Sequence, residues 1–386
     1  MRAGSMKLIF DTAPLTEPAP ATGLTGVGRW TLGAIAGLSA AAPEWSIRGV
    51  GVSLRPLAPQ ATAVGPRVAL KQIRFSSRAF KLLEYARVLP PMEFFVGEID
   101  AMLGNGYVNR RSRRAADIPV IYDLSVIRFP ETHPNSRVWY IAKQLKGTLE
   151  RATLIVTISE SVRREISERF GIDEKLIWVA PPGSESLGLN SSTGSIDLRS
   201  LPDEYLLSVG TLEPRKNLAR LLEAHSRLSA RHQGFPPLVV AGGRGWRSEE
   251  FSTLLQSGIA SGTVRLLGYV DDEALSTLYR NATALVYPSL YEGFGMPVVE
   301  ALAAGCPVIT SNSSGTAEAA GNAALLVDPR SIDEIENAIS RLVDDEPLRL
   351  KLKALGIERA LEFSWSRTGA CLKRAIETAV ALKSGR

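Results

Sequence analysis

Hydrophobic positions along the chain fall into short apolar runs separated by longer amphipathic stretches. In the first half the runs Met6–Asp11, Ile47–Ser53, Ile118–Leu124, Leu154–Ser159 and Leu176–Ala180 predict buried strands. Helical periodicity falls between them, over Val27–Ala41, over Arg137–Arg151, and from a cap at Ser159 or Ser161 to Arg169, with Gly171 as the stop. Phe94–Leu103 fits neither period cleanly, and Arg74–Val88 reads as a basic amphipathic helix or lid-like excursion. In the second half strands are predicted at Tyr205–Val209, Pro237–Ala241, Val264–Leu267, Ala284–Tyr287, Pro307–Thr310 and Ala323–Val327. Helices are predicted at Asn217–Ala230, Ser248–Gln256, Asp271–Arg280, Ala317–Ala320, Ile332–Leu342, Pro347–Leu361 and Ser364–Leu382. Strands alternating with helices of this length predict α/β domains with parallel sheets covered on both faces. Ligands of such sheets sit at the carboxyl ends of the strands.

Pro181–Ser200 interrupts the pattern with a Pro/Gly/Ser-rich stretch and reads as an interdomain linker. The boundaries expected are 1–182 for an N-terminal domain, 183–200 for the linker and 201–365 for a C-terminal domain, with the last helix, 366–386, packing back on the first domain. A length of 386 residues agrees with two domains, since single cores stop growing near ~250–300 residues. No apolar run approaches the ~18–20 residues of a membrane span. The opening residues lack a secretory apolar region, and Met1–Ser5 reads as a vector-derived leader or alternative start ahead of Met6. Cys306 and Cys371 are the two cysteines, too few for a disulfide framework or a zinc site, so a reducing cytoplasm is the expected location. The net charge of +5 is uneven: residues 1–200 carry 25 Lys/Arg against 18 Asp/Glu, and residues 201–386 carry 20 against 22. Much of the excess lies in Arg67–Arg114, beside Phe75, Phe80, Leu82, Leu83 and Tyr85. Such a face suits an anionic lipid surface or anionic acceptor, or is simply a solvated face; no nucleic-acid-binding module is present.

Candidate chemistry concentrates in Val286–Thr310. A strand leads into the loop Glu292–Gly295, then a short helix with Pro297 near its start and Gly305 past its end. Glu292 opens the loop and Glu300 is expected in the first helical turn. Gly293 and Gly295 allow close backbone approach, and a helix N-terminus offers amides to an anion. A sugar joined to a phosphate fits that combination; a tight βα turn with surface glutamates fits it as well. Gly210–Asn217 presents Arg215 and Lys216 at a strand end, suited to a diphosphate. Gly268–Glu273, including Tyr269 and Val270, passes over a nucleobase in this reading, with Asp271 capping the next helix rather than holding a metal. Gly242–Trp246 is another close-approach loop. Gly23–Arg29 holds Gly26 and Gly28 but lacks the dinucleotide glycine order.

Three motifs carry a family resemblance. Glu292 and Glu300, with seven residues between them inside YEGFGMPVVEALAAGCPVI, stand with SVGTLEPRKNL and SNSSGTAEAAGNAALLVDP. Together they resemble retaining, metal-independent nucleotide-sugar glycosyltransferases of the GT-B fold, family 4. TGVGRWTL and YDLSVIRFPETHP resemble bacterial mannosyltransferase-like members. The resemblance implies two Rossmann-like domains facing a cleft. It implies that Glu300 holds the ribose hydroxyls, that Glu292 holds the donor sugar, and that Arg215 and Lys216 grip the diphosphate. It further implies that Gly210 and the amides of Phe294, Gly295 and Met296 assist, and that Gly28 borders the diphosphate from the first loop. Many relatives carry His before Asp123, where this chain has Tyr122. A Tyr can hydrogen-bond a sugar hydroxyl but is a poorer proton shuttle near neutrality. Tyr122, Asp123 and His133 are the acceptor-side candidates.

No metal or other cofactor is required in this reading. GDP-mannose is the donor expected, with a UDP-sugar as alternative. The acceptor expected is a glycan or lipid-linked chain in surface-polysaccharide synthesis, met by peripheral contact of the basic domain with the cytoplasmic membrane face. Rival readings are a sugar-nucleotide-binding protein without turnover, and an epimerase or phosphorylase on the same fold.

Overall fold

The apolar runs form parallel strands, and those at the centre of each sheet are buried on both faces, which favours continuous Val, Ile and Leu over alternation. The computed structural model describes residues 5–16, 24–52, 54, 68–76, 79, 83, 88, 90–107, 112–133, 135–185, 201–243 and 249–385. Most of the Arg74–Val88 excursion, the leader to residue 4, Gly23, positions 108–111 of the basic run, linker positions 186–200 and positions 244–248 lie outside the described residues. By its internal contacts the chain divides into two units, Met1–Gly183 with Ser364–Arg386, and Ser184–Phe363.

The first unit holds a seven-stranded sheet in the order β3-β2-β1-β4-β5-β6-β7. Its strands are β1 (Lys7–Asp11), β2 (Ser46–Val52), β3 (Ala69–Ile73), β4 (Ala101–Asn105), β5 (Ala116–Ile121), β6 (Ile155–Thr157) and β7 (Ile177–Val179). All pairings are parallel, for example Leu8 beside Ile47 on one flank of β1 and Ala101 on the other. The ambiguous Phe94–Leu103 stretch resolves into a turn of helix, Glu93–Val96, and the start of β4, separated by Gly97. Ser159, not Ser161, caps the Glu160–Phe170 helix, accepting from the Val162 amide at 3.1 Å.

The second unit holds a six-stranded parallel sheet in the order β10-β9-β8-β11-β12-β13. Its strands are β8 (Leu206–Val209), β9 (Leu238–Ala241), β10 (Val264–Gly268), β11 (Ala284–Tyr287), β12 (Val308–Ser311) and β13 (Leu325–Val327). The order reverses direction between β8 and β11, so the loops after those two strands diverge and leave a crevice at their carboxyl ends. Arg215 and Lys216 follow β8, and Glu292 follows β11. A core of Leu206, Val240, Val286, Ile309, Leu221 and Ile339 joins the strands to the flanking helices.

The Trp365–Ser384 helix packs on the Gly26–Ala41 helix of the first unit. The contact is built on missing side chains. A Cβ on Gly37 would lie 1.9 Å from the Trp365 carbonyl oxygen, and one on Gly369 would lie 2.1 Å from the Gly37 carbonyl carbon. The Trp365 ring fills the groove over Gly33, where a Cβ would meet it at 2.2 Å.

Glycine inside an exposed helix is worth about 1 kcal/mol less than alanine, so Gly37→Ala would stabilise a free helix. Here we expect it to lower the unfolding temperature by an amount equivalent to about 1–3 kcal/mol, because the obstacle is backbone and cannot rotate away. Calorimetry on Gly37→Ala checks this. A second expectation concerns Asp117, buried at the start of β5 with Arg151 and Lys383 as its charged neighbours. Burial pushes its carboxyl up to about 7 against the partial opposition of those cations. The folded state therefore favours the protonated acid, and stability falls as pH rises from about 4, the unfolded value, to about 7. Asp117→Asn is expected to raise the unfolding temperature more at pH 8 than at pH 5; an equal gain at both values would assign the titration elsewhere.

Candidate functional site

The site is assembled from the tips of β8 to β11. Gly210 leaves β8 with φ near +137°, a region closed to side chains, and its amide bonds the Ala241 carbonyl at 2.9 Å. Gly242 lies so close that a Cβ there would sit 1.9 Å from the Gly210 oxygen. The amide of Leu212 bonds Gly243 at 3.1 Å, and that of Gly242 bonds Gly268 at 2.7 Å. Three strand ends are thus tied together before the functional turn begins.

That turn, Pro214–Lys216, is a single 3-10 turn rather than the first turn of a long helix. Asn217 follows in the left-handed region (φ 59°, ψ 29°) and starts the Leu218–Arg231 helix. Its side chain is buried and donates to the carbonyls of Pro288 at 2.9 Å and Pro329 at 2.6 Å. The Leu290 amide donates to the Arg215 carbonyl at 2.9 Å. Those bonds fix the turn between the loops that follow β11 and β13.

Arg215 and Lys216 then converge on one carboxylate. Arg215 Nη1 donates to Glu292 Oε2 at 2.7 Å and to the Tyr291 carbonyl at 2.8 Å, while Nη2 reaches Glu213 at 2.5 Å. Lys216 Nζ donates to Glu292 Oε1 at 2.7 Å and to the Tyr287 hydroxyl at 2.6 Å. The Tyr287 hydroxyl in turn donates to Glu292 Oε1 at 2.9 Å. The side chains of Arg215, Lys216 and Glu292 are only 15%, 14% and 10% exposed, so water screens these charges poorly. Burial pushes the Glu292 carboxyl up, but Arg215 and Lys216 outweigh it and hold the acid at about 2. Burial lowers the Lys216 ammonium, opposed by Glu292. Burial, followed by the Glu292 charge, raises the Tyr287 phenol well above its ordinary value.

The loop carrying Glu292 is held from below by the Ser314–Ala320 helix. The Glu292 amide donates to Ser314 Oγ at 3.2 Å, and the Gly315 amide donates to the Glu292 carbonyl at 3.1 Å. Gly315 presses on the loop so closely that a Cβ would lie 2.4 Å from the Gly293 oxygen. The Phe294 ring is buried, edge-on to Phe363 at 5.2 Å, leaving only its backbone for a ligand. Gly295 takes φ 107° at the start of the Met296–Ala303 helix, and no side chain caps that helix. Glu300 lies in the second turn, not the first, because the helix begins at Met296. Its Oε2 accepts from the buried Tyr279 hydroxyl at 3.1 Å. Tyr269 and Val270 follow β10, with Val270 buried, and Asp271 accepts from the Ala274 amide at 2.8 Å as a helix cap.

In the first unit the candidate residues lie on the Gly26–Ala41 helix and in the turns that follow β5. Gly28 belongs to the first turn of the Gly26–Ala41 helix, not to the loop before it, and its amide bonds the Thr25 hydroxyl at 3.3 Å. Tyr122 is engaged by the protein itself. Its hydroxyl donates to Asn105 Oδ1, and its ring stands edge-on to Trp30 at 5.2 Å. Asn105 is in turn held by Thr31 at 2.7 Å and by the Asp11 carbonyl at 3.0 Å. Burial raises the Tyr122 phenol well above its ordinary value, so it keeps its proton in any working range. Asp123 Oδ1 accepts from the Tyr107 hydroxyl and from the Ser125 amide (2.9 Å) and hydroxyl (2.8 Å), which shapes its own turn. His133 closes the Pro130–Thr132 turn, its amide bonded to the Pro130 carbonyl at 3.0 Å. Among the described residues no group of three His, Cys, Asp or Glu could hold a metal ion, and no helix is long and apolar enough to cross a membrane.

Sequence reasoning did not pick out Asn217, Tyr279, Tyr287, Ser314 or Gly315 as parts of the site. A tyrosine ending an otherwise apolar strand, and an asparagine next to two cations, were the signals available for Tyr287 and Asn217.

The family profile described as Glycosyl transferases group 1 matches residues 197–359. O-antigen chain mannosyltransferase B of Escherichia coli is 33% identical over 378 residues, covering 93% of this chain and 96% of that protein. The serotype-specific mannosyltransferase WbdA of Escherichia coli is 32% identical over 245 residues, 61% of this chain and 30% of that protein. Among solved structures, sucrose-phosphate synthase from Thermosynechococcus elongatus superposes with a TM-score of 0.76 at 18% identity, covering 97% of this chain and 99% of that one. WaaG, a glycosyltransferase involved in lipopolysaccharide biosynthesis, gives 0.68 at 16% identity over 95% and 98%. The chain belongs to the group 1 glycosyl transferases: it is a hexosyltransferase with two parallel-sheet domains of the GT-B class.

The Asn217 latch can be separated from its backbone conformation. Asn217→Gly keeps the left-handed geometry but loses both carbonyl bonds; Asn217→Ala also adds left-handed strain of about 1–2 kcal/mol. Thermal unfolding is expected to rank wild type above Gly and Gly above Ala; an Ala variant as stable as the Gly variant would remove the strain argument.

Proposed function

We propose that this enzyme is a retaining, metal-independent mannosyltransferase that uses GDP-mannose and extends a surface-polysaccharide chain of the O-antigen kind. The observation that carries the site assignment is the convergence of Arg215 and Lys216 with Glu292 at the reversal point of the second sheet. Two fixed cations suit a diphosphate, and the uncapped helix start at Gly295 and Met296 adds backbone donors for the same group. Glu300, oriented by Tyr279, is assigned to the ribose hydroxyls, and Glu292 to the hydroxyls of the transferred sugar. Gly210, Tyr269 and Val270 border the nucleotide through their backbone. Gly28 is assigned to the diphosphate, and Asp123 and His133 to the acceptor side. Similarity along most of its length to an O-antigen mannosyltransferase supports the choice of sugar.

In this reading the acceptor hydroxyl attacks the anomeric carbon on the face from which the diphosphate departs. The new C–O bond forms as the sugar–phosphate bond breaks, and the acceptor proton passes to the leaving diphosphate oxygen. Arg215 and Lys216 stabilise the charge that builds on the diphosphate, and the remaining catalysis is positioning. The acceptor chain is met at the cytoplasmic membrane face. Phe94, 77% exposed, is assigned to that contact; it lies in sequence between Glu93, which accepts from the Arg113 and Arg114 amides, and Phe95, whose carbonyl accepts from Lys71.

A thermal-shift panel of GDP-, UDP-, ADP- and dTDP-sugars tests the donor. GDP-mannose is expected to give the largest rise, and Lys216→Ala is expected to abolish both that rise and transfer while remaining folded. A rise with a UDP-sugar and none with GDP-mannose would replace the donor, and normal turnover in Lys216→Ala would dismiss the role given to that lysine.

A further inference from the structure

We propose that Glu292 is a built-in counter-ion which the donor's diphosphate has to displace, and that it thereby loosens the enzyme's grip on the bare nucleoside diphosphate left after transfer. The inference rests on the donor-site reading above. Both cations are already committed within the protein, Arg215 and Lys216 each lying 2.7 Å from a Glu292 oxygen. Glu213 takes the second Arg215 nitrogen at 2.5 Å, so two cations face two carboxylates and the group carries no net charge. An incoming anion feels little attraction until Glu292 lets go.

Glu292 cannot remain where it is once a diphosphate is gripped by the same nitrogens. Two like charges within about 4–6 Å oppose each other strongly, most of all where water is scarce. Neutralising the acid by protonation is closed to it, because the two cations hold its carboxyl at about 2. The exchange is confined to the side chain. The backbone is pinned on both sides, amide to Ser314 and carbonyl to Gly315. Lys216 keeps a neutral partner throughout, since the Tyr287 hydroxyl accepts from it at 2.6 Å.

The displaced carboxylate needs new donors. A hexose on the diphosphate supplies hydroxyls to a side chain rooted in the same loop. The bare nucleoside diphosphate supplies none and brings one more negative charge. Glu292 therefore pulls with the sugar-loaded nucleotide and against the product. Product release is favoured by the same side chain that holds the substrate.

Glu292→Gln removes the charge and keeps the shape. Isothermal titration with GDP and with UDP, beside an assay of transfer, separates the outcomes. The variant is expected to bind the preferred nucleoside diphosphate about tenfold tighter than wild type or better, while transfer is lost. Its unfolding temperature is expected to start lower, because two buried cations lose a partner, and to climb further on adding the nucleotide. Unchanged or weaker nucleotide binding with transfer lost would overturn the counter-ion proposal and leave the donor-site reading intact. Full transfer in the variant would overturn that reading itself. Glu292→Ala serves as a second variant if the glutamine form does not fold, with the same tightening expected.

Discussion

The structure of the second unit turns on one carboxylate that satisfies two buried cations. At 15% and 14% exposure Arg215 and Lys216 could not both have their charges balanced without Glu292 between them. Neither could Glu292 stay an anion in so dry a place without them. The three residues come from loops after two different strands, β8 and β11, which are neighbours only because the sheet order reverses there. Parallel pairing puts both strand ends on the same side, and the reversal opens the space between them. The rest of the local architecture serves to hold these charges at fixed distances. Asn217 latches one loop, Ser314 and Gly315 support the other, and the Tyr287 hydroxyl spans the two.

A preorganised charge cluster of this kind suits group transfer from a diphosphate. The work of collecting like charges is done during folding, at the expense of hydrophobic burial elsewhere in the unit, and is not repeated in each reaction cycle. Leu212 and Leu218, buried on either side of the Pro214–Lys216 turn, anchor it to the core. The first unit is built differently at its strand ends. After β5 the Tyr122 hydroxyl is held by Asn105 and Asp123 by its own turn, and among the described residues no cluster of opposed charges comparable to that around Glu292 involves these two.

How much of this was legible in the sequence follows from which interactions are local. Most strand and helix positions were readable because burial on both faces imposes continuous apolar runs, and most boundaries moved by only a residue or two, as at Val308–Ser311. But β5 stops at Ile121 rather than Leu124, the Glu249–Ala260 helix runs past Gln256, and the half-exposed β3 had no apolar run to announce it. Caps such as Ser159 and Asp271 were readable because they depend on the next three residues. The loop glutamates and the two cations stood out because charges at strand ends are costly unless used. What the sequence did not reveal was long-range. That Arg215 and Lys216 would meet Glu292 requires knowing that β8 lies beside β11. The Tyr122 hydroxyl looked available because nothing near it in sequence announces Asn105 as its partner. Gly28 was placed in the first loop by resemblance, although the apolar pattern already began its helix at Val27; the Thr25 cap starts that helix one residue earlier.

The return of the Trp365–Ser384 helix to the first unit has a consequence for how the protein is made. A ribosome completes the whole second unit, Ser184–Phe363, before the helix that covers Gly33 and Gly37 has emerged. Until then the Gly26–Ala41 helix presents an open apolar groove, and the first unit stands unfinished through the synthesis of nearly half the chain. The second unit is continuous in sequence and can close as soon as it is exposed. Completion of the first unit therefore waits for the last residues of the chain, and until they arrive its N-terminal part carries an apolar groove open to aggregation.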